Sequence, residues 1–344
     1  RTEITGDSVF IDKEDLIPNK QVLVCLTNHN YVKYIDIDAY RLQGRGGRGV
    51  MGISTKDEDF VEQAFVAYTH DHLLCFTSTG RAYWLRVFDI PEGSRQSRGK
   101  AIVNLLDLKD DERVTAVIPV KEFCADRFFL FLTEKGMTIK IPQDEFSRPR
   151  STGLNAITLR DDDALVHVIV TDGSQEIIIT TRYGQSLRFH EDQISLRHRN
   201  ALGVIGMRMR DDDVVRSLTV IEEGKMLLTI TESGYGKRTN FDEYRGHGRG
   251  TLGVRNIKVG RNDGVVTAFA VSEEKEIILM SADGNVIRTK VGKISIQGRN
   301  TRGVRIMKLN ARDRVVGVTS LSPEESAELT DIPQAEIVDE GEEE

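Results

Sequence analysis

Gly153, Gly203, Gly253 and Gly303 stand 50 residues apart, and the last three open an identical Gly-Val pair. Gly49-Val50 falls on the same pattern two periods before Gly153, and the intervening member lies near Arg98-Gly99-Lys100. Self-similarity at a fixed period restricts a chain to arrays of one supersecondary unit, because each unit must bury its apolar face against the next. A second set of turn residues precedes the first in each unit: Asn30, Gly80, Gly136, Gly184, Gly234 and Gly284. Asn is the usual substitute for Gly where the backbone turns left-handed.

Just before each of these turns lies a short apolar run: Val22 to Leu26, Leu73 to Phe76, Phe128 to Leu132, Ile177 to Ile179, Met226 to Ile230 and Ile277 to Met280. Runs of this length, rich in β-branched and large apolar residues and ended by turn residues, suit buried strands, and no 3.6-residue periodicity supports a helical solenoid. A 50-residue unit accommodates four strands of ordinary length. Six such units predict an all-β, propeller-like array of six blades.

Net charge is −7 over 344 residues, yet residues 324–344 contain ten acidic and no basic side chains. The remaining body therefore carries +3, and the acidic end with Pro333 and no aromatics reads as a disordered tail. The expected organisation is a lead-in at residues 1–20, a repeat domain at 21–323 and the tail at 324–344. A start at Arg1 rather than Met suggests a piece of a longer protein. No apolar run approaches the ~18 residues of a membrane helix. Cys25, Cys75 and Cys124 form no CxxC pair. The first two sit in apolar runs as buried hydrophobes, a usage that fits a reducing cytosol.

The segments around and just before each Gly-Val position are basic. They contain Arg41, Arg45 and Arg48; Arg95, Arg98 and Lys100; Arg148 and Arg150; Arg197 and Arg199; Arg245 and Arg249; and Arg299 and Arg302. One phase of a closed repeat maps to one part of its surface, so these turns predict a basic belt, an electrostatic track for a phosphate backbone. A further cation follows the second turn in most units (Lys33, Arg81, Lys140, Arg188, Lys237, Arg288), with Arg238 beside Lys237. Each alone reads as a solvated strand-edge charge; their recurrence adds Lys33, Lys237, Arg238 and Arg288 to the candidate rim. Acidic turns such as Asp161-Asp162-Asp163 and Asp211-Asp212-Asp213 recur at another phase and read as solvated turn residues.

The strongest copy of the basic turn is Gln43-Gly44-Arg45-Gly46-Gly47-Arg48-Gly49. Glycines let a backbone lie against a polyanion, and guanidinium forks match phosphate oxygens. Taken alone, the stretch also fits a flexible linker or a disordered RGG-type tract. Gly44-x-Gly46-x-x-Gly49 and Gly248-x-Gly250-x-x-Gly253 match the dinucleotide fingerprint in form only, since β-type sequence follows where a helix is required. His70-Asp71-His72 lacks further ligands and reads as a turn rather than a metal site. No nucleotide loop or nucleophile motif is present.

Residues 43–49 resemble the seven-residue box of the C-terminal domain of the bacterial DNA gyrase A protein: Gln, a basic residue, Arg-Gly-Gly, a basic residue, Gly. Gly44 departs from it, standing where a basic residue is usual. Tyr31-Val32-Lys33-Tyr34, Thr69-His70-Asp71-His72, Ile102-Val103-Asn104-Leu105-Leu106, Gly234-Tyr235-Gly236-Lys237-Arg238-Thr239 and Ile294-Ser295-Ile296 with Gly298-Arg299-Asn300-Thr301 extend the resemblance over essentially the whole chain.

The resemblance implies a six-bladed β-pinwheel with strands exchanged between blades, wrapping double-stranded DNA without sequence readout and presenting a segment to a gyrase core for negative supercoiling. It also implies, as partners, the rest of the gyrase A protein together with the gyrase B protein, in an A2B2 enzyme of the bacterial cytoplasm and nucleoid. Catalysis, ATP and magnesium would belong to other parts of that enzyme, with no cofactor in this piece and the isolated domain monomeric. The alternatives are the related topoisomerase IV A-type domain, which typically lacks an intact box, and a propeller-type protein-interaction scaffold; a propeller enzyme has no candidate residues. The acidic tail is expected either to compete with DNA for the belt or to act as a solubilising end.

Overall fold

The computed structural model describes residues 13–27, 29–36, 61–94, 97–109, 112–210, 212–283 and 285–321. The box at 43–49, Arg41, Arg95 and the tail at 324–344 lie outside them, as does the first part of the lead-in. Six antiparallel sheets follow one another, and no α-helix occurs among the described residues.

Each apolar run is the middle strand of a blade. In blade three, the middle strand Phe128–Thr133 pairs on one side with the inner strand Leu165–Thr171 and on the other with the outer strand Met137–Pro142. The fourth strand, Val204–Ile205, comes from the following unit and pairs with the start of the outer strand. The same exchange brings Lys100–Ala101 to blade one, Leu154–Asn155 to blade two, Val254–Arg255 to blade four and Val304–Arg305 to blade five. In units two to six the expected fourth strand therefore exists, but it completes the preceding blade's sheet. Blade six has three strands among the described residues, Glu276–Ser281 in the middle, Val286–Lys290 outside and Val315–Leu321 inside. Its inner strand contacts that of blade one, Val61–Tyr68.

The exchange explains the 50-residue glycine repeat. Gly253 has φ +70°, and a Cβ there would lie 2.3 Å from the carbonyl oxygen of Ser186 on the outer strand it joins. Gly303 has φ +90° and would place a Cβ 2.5 Å from the Gly236 carbonyl. Both the conformation and the close approach exclude any larger residue.

A hydroxyl recurs at the hairpin end of each middle strand, beside the exchange: Thr27, Thr77, Thr133, Thr181, Thr231 and Ser281. Thr133 Oγ1 accepts from the Met137 amide at 3.0 Å and Thr181 Oγ1 from the Gln185 amide at 3.2 Å, tying off the hairpin. The register of the middle and inner strands shifts at this level in every blade. Such irregularities increase local twist.

Among the described residues, the large apolar clusters are shared between blades. Phe76 of blade two packs edge-on against Phe129, Phe131 and Phe146 of unit three, with centroids 5.2–5.8 Å apart. The other large apolar clusters likewise join blades one and two, three and four, four and five, and five and six. Cys25 and Cys75 are buried, as their apolar runs predict. Stability in such an array resides largely in neighbour interfaces.

The acidic turns are only partly solvated. The last acid of each turns inward: Asp163 accepts from the Lys135 amide (2.9 Å), Asp213 from Tyr183 (3.0 Å), Asp263 from Ser233 (2.9 Å) and Asp313 from Asp283 (3.1 Å). These carboxylates satisfy hairpin amides that would otherwise be orphaned. The preceding Asp161, Asp162 and Asp212 are exposed, as expected of solvated turn residues.

Candidate nucleic-acid interface

Four of the described basic segments climb the outer strand of the preceding blade. At the lower end, backbone amides bond to that strand: Gly93 to Tyr34, Arg197 to Lys140, His247 to Arg188 and Gln297 to Arg238, at 2.8–2.9 Å. At the upper end the exchanged strand takes over. Pairing at both ends covers a sheet edge that would otherwise present unpaired backbone groups. It also carries the intervening turn, with its arginines, on the outside of the blade.

The expected belt residues divide into three groups. Arg98, Lys100, Arg148, Arg150, Arg197, Arg245 and Arg302 are exposed. Arg98 lies over Tyr31 with its guanidinium carbon 4.1 Å from the ring centroid, and Arg302 lies over Tyr235 at 3.8 Å. Cation–π contact holds a guanidinium flat while its edge keeps its donors.

Arg199, Arg249 and Arg299, again 50 residues apart, are half-buried and bonded at the inter-blade seam. Arg199 Nε lies 3.5 Å from the Glu145 carboxylate, and Arg249 Nε donates to the Gln193 carbonyl at 2.8 Å. Arg299 donates to the Arg255 carbonyl at 3.2 Å. Glu145 also pairs with His198 at 2.6 Å, and that hydrogen bond holds its carboxyl below the usual range against the opposing effect of burial. These arginines position the turns.

The third group corrects the sequence reading. Lys33, Lys237, Arg238 and Arg288 are buried rather than on the rim. Lys33 Nζ donates to the Ser94 and Ser97 carbonyls at 3.0 and 2.7 Å. Lys237 Nζ donates to the Gly298 carbonyl and to Thr301 Oγ1 (3.1 Å). Each ammonium is thus wrapped by the next unit's basic turn. Arg288 pairs with Glu276 across the strands of blade six.

The following strand position points to the other face, and there a donor caps the next unit's 3-10 turn. Trp84 bonds to the Phe146 carbonyl, Lys140 to Glu191, Arg188 to Phe241 and Arg238 to Ile294, at 2.6–3.1 Å. Lys33, Lys140, Arg188, Lys237 and Arg238 are blade-to-blade fasteners, whereas Arg288 is held within blade six. Arg81 differs, reaching the Thr152 carbonyl (2.6 Å) and Asn155 (2.9 Å) of the third unit's turn.

A further row escaped the sequence reading. Arg160, Arg208, Arg210 and Lys258 are exposed beyond the exchanged strands. The Arg208 amide bonds to the Thr251 carbonyl (3.0 Å) and the Lys258 amide to Thr301 (2.9 Å), so each cation sits beside the next unit's basic turn. These residues bridge the gaps between successive turns. Their own 50-residue spacing was a signal, masked by the acidic turn that follows.

His70-Asp71-His72 is a turn leading into a strand, with His70 Nε2 2.7 Å from the Ile17 carbonyl and Asp71 accepting from the Tyr68 amide. No group of three or more metal-ligating side chains occurs among the described residues.

The family described as DNA gyrase C-terminal domain, beta-propeller, matches residues 21–67, 71–121, 127–172, 175–222, 225–272 and 275–322, one stretch per blade. The DNA gyrase A protein of Haemophilus influenzae is 47% identical over 206 residues, covering 60% of this chain and 23% of that protein. The DNA gyrase A protein of Klebsiella oxytoca is 44% identical over 207 residues, covering 60% of this chain and 24% of its own. The chain thus spans about a quarter of the length of these relatives. Among solved structures, the C-terminal domain of DNA topoisomerase IV superposes with a TM-score of 0.78 at 26% identity, covering 91% of this chain and 96% of that one. The DNA gyrase A C-terminal domain superposes with a TM-score of 0.71 at 28% identity, covering 88% and 100%.

Proposed function

Since the chain belongs to the DNA gyrase C-terminal domain family, we propose that it binds, bends and wraps duplex DNA around its perimeter without reading sequence. The observation that carries this reading is the alignment of exposed arginines on turns strapped along successive outer strands, with Arg208 and Lys258 between them. Bending 20–30 bp by 40–90° costs about 1–6 kcal/mol. One turn with two arginines offsets little of this; a row of turns, each releasing counterions, offsets it cumulatively.

Within a gyrase A protein, assembled with the gyrase B protein into an A2B2 enzyme of the bacterial cytoplasm, the wrapped domain presents a DNA segment for ATP-driven negative supercoiling. Residues 43–49 clamp one end of the path, and the other turns guide it. Gel shift and DNA-bending measurements across a salt series test the binding step. If about ten phosphates are neutralised, the log–log salt slope is about −9; salt-insensitive binding without bending supports a protein-interaction scaffold instead.

The second reading, a topoisomerase IV A-type domain, is favoured by the similarity to that solved domain. A supercoiling assay in the assembled enzyme separates the two. Under the gyrase reading, replacing Arg45 and Arg48 by Ala abolishes supercoiling and spares wrap-independent relaxation.

A further inference from the structure

We propose that an open cleft of about 750 Å³ at the hairpin end of blades four to six is a second phosphate-backbone site, receiving duplex DNA as it leaves the perimeter at Arg302. The inference rests on the DNA-wrapping reading and adds an exit contact to it.

Between the hairpins at Arg182 and Glu232, three segments supply the other cations of the cleft. Arg302 precedes and Arg305 ends the exchanged strand of blade five, Arg261 stands in the turn before that blade's inner strand, and Lys308, Arg312 and Arg314 lie on the segment crossing to blade six. Arg261, Lys308, Arg312 and Arg314 are exposed, and their side chains have no partner among the described residues.

The acids in the wall form no ion pair with these four cations among the described residues. Glu232 pairs with Arg182 at 3.5 Å. Asp263 accepts from the Ser233 and Gly264 amides, both at 2.9 Å. Asp313 accepts from the Asp283 amide at 3.1 Å and the Arg314 amide at 2.8 Å. With three carboxylates against seven cations, the wall stays net positive and favours an incoming anion.

The chemistry selects a backbone over a base. Tyr235 is already engaged by Arg302 at 3.8 Å and Arg305 at 5.3 Å, with the Arg305 guanidinium donating to its hydroxyl at 2.7 Å. It offers no free stacking platform of the kind that single-stranded nucleic acid requires. Arg302 belongs both to the perimeter row and to the cleft wall, so a duplex lying on the rim meets the cleft without interruption.

The test uses the full chain, with R261A/K308A/R312A/R314A compared with the perimeter variant R197A/R245A on one duplex. Hydroxyl-radical footprinting is expected to show the cleft variant losing protection at one end only, and the perimeter variant losing it internally. The magnitude of the salt slope falls by about three in the cleft variant if three phosphates are released, at about 0.9 per phosphate. K308E alone should shorten the same end, which guards against a folding defect in the quadruple variant. A complete footprint with an unchanged slope in both cleft variants overturns the proposal while leaving perimeter wrapping intact. Pyrophosphate binding that needs these cations, alongside a complete duplex footprint, also overturns it. A wild-type chain that binds no duplex overturns the wrapping reading and the exit contact together.

Discussion

Arg302 lies over the ring of Tyr235, its guanidinium carbon 3.8 Å from the ring centroid, and Arg98 repeats the arrangement over Tyr31 at 4.1 Å. In both, the arginine directly precedes the glycine of the exchange, and the tyrosine opens the outer strand that receives it. The equivalent positions in units four and five are Leu202 and Leu252, both exposed. The perimeter is therefore chemically uneven: held guanidinium groups stand on blades one and five, and leucines stand on the exchanges into blades three and four.

Stacking orders an arginine before DNA arrives, so the tyrosine contributes without touching phosphate. Tyr235→Leu is expected to weaken duplex affinity several-fold with little change in salt slope. Arg302→Ala is expected to weaken it about tenfold and reduce the slope magnitude by about 0.9, the value of one phosphate. Fluorescence anisotropy across a salt series measures both, and an unaltered affinity in Tyr235→Leu contradicts the ordering role.

Lys237 makes stability depend on pH. Burial pushes its ammonium down from 10.5 to about 7. Between those values the unfolded chain holds more protons than the folded one, so this residue makes stability rise with pH from about 7 towards 10.5. Below about 7 the cost of the buried charge is fully present. In Lys237→Met that rise is expected to flatten, as read from urea midpoints between pH 6.5 and 9.5. The turn at 298–301, having lost its ammonium, should exchange amide hydrogens faster. An identical pH slope in the Met variant counts against the assignment.

Asp213 and its neighbour Asp212 separate structure from solvation. Asp213 Oδ1 accepts from the Tyr183 amide at 3.0 Å and the Val214 amide at 2.9 Å. Asp213→Ala leaves both amides unpaired and should cost about 1–3 kcal/mol; Asp213→Asn, which keeps an acceptor, should cost less. Asp212→Ala removes an exposed carboxylate bonded to the Tyr183 hydroxyl and should stay within about 0.5 kcal/mol. Equal losses in chemical denaturation would contradict the difference in role.

Phe131 is fully buried among Phe76, Phe129 and Phe146. Phe131→Ala should cost about 3–5 kcal/mol. Because this cluster belongs to two units, amide exchange in both should accelerate together. Faster exchange confined to blade three would show that the interface is not shared in energy.

Much of the frame is legible in the sequence. The apolar runs are the middle strands, and Asn30, Gly80, Gly136, Gly184 and Gly234 have φ between 58° and 82°, as their turn positions require. Such features are local: a turn needing positive φ selects Gly or Asn whatever surrounds it. The inward Asp of each acidic turn was less legible, because composition cannot distinguish a solvated carboxylate from one reaching an amide about 30 residues earlier.

The six-fold repeat, the β character of its units and the phase at which arginines gather are all written in local sequence. Which cations face outward is set by packing between units. Lys33 and Arg98 read alike as recurrent cations, yet Lys33 is enclosed by Ser94 and Ser97, more than 60 residues away, while Arg98 lies exposed over Tyr31. The physical reason is the exchange itself. Each turn folds over the preceding blade, so whether a cation meets solvent depends on the next unit's backbone as well as on its own neighbours in sequence.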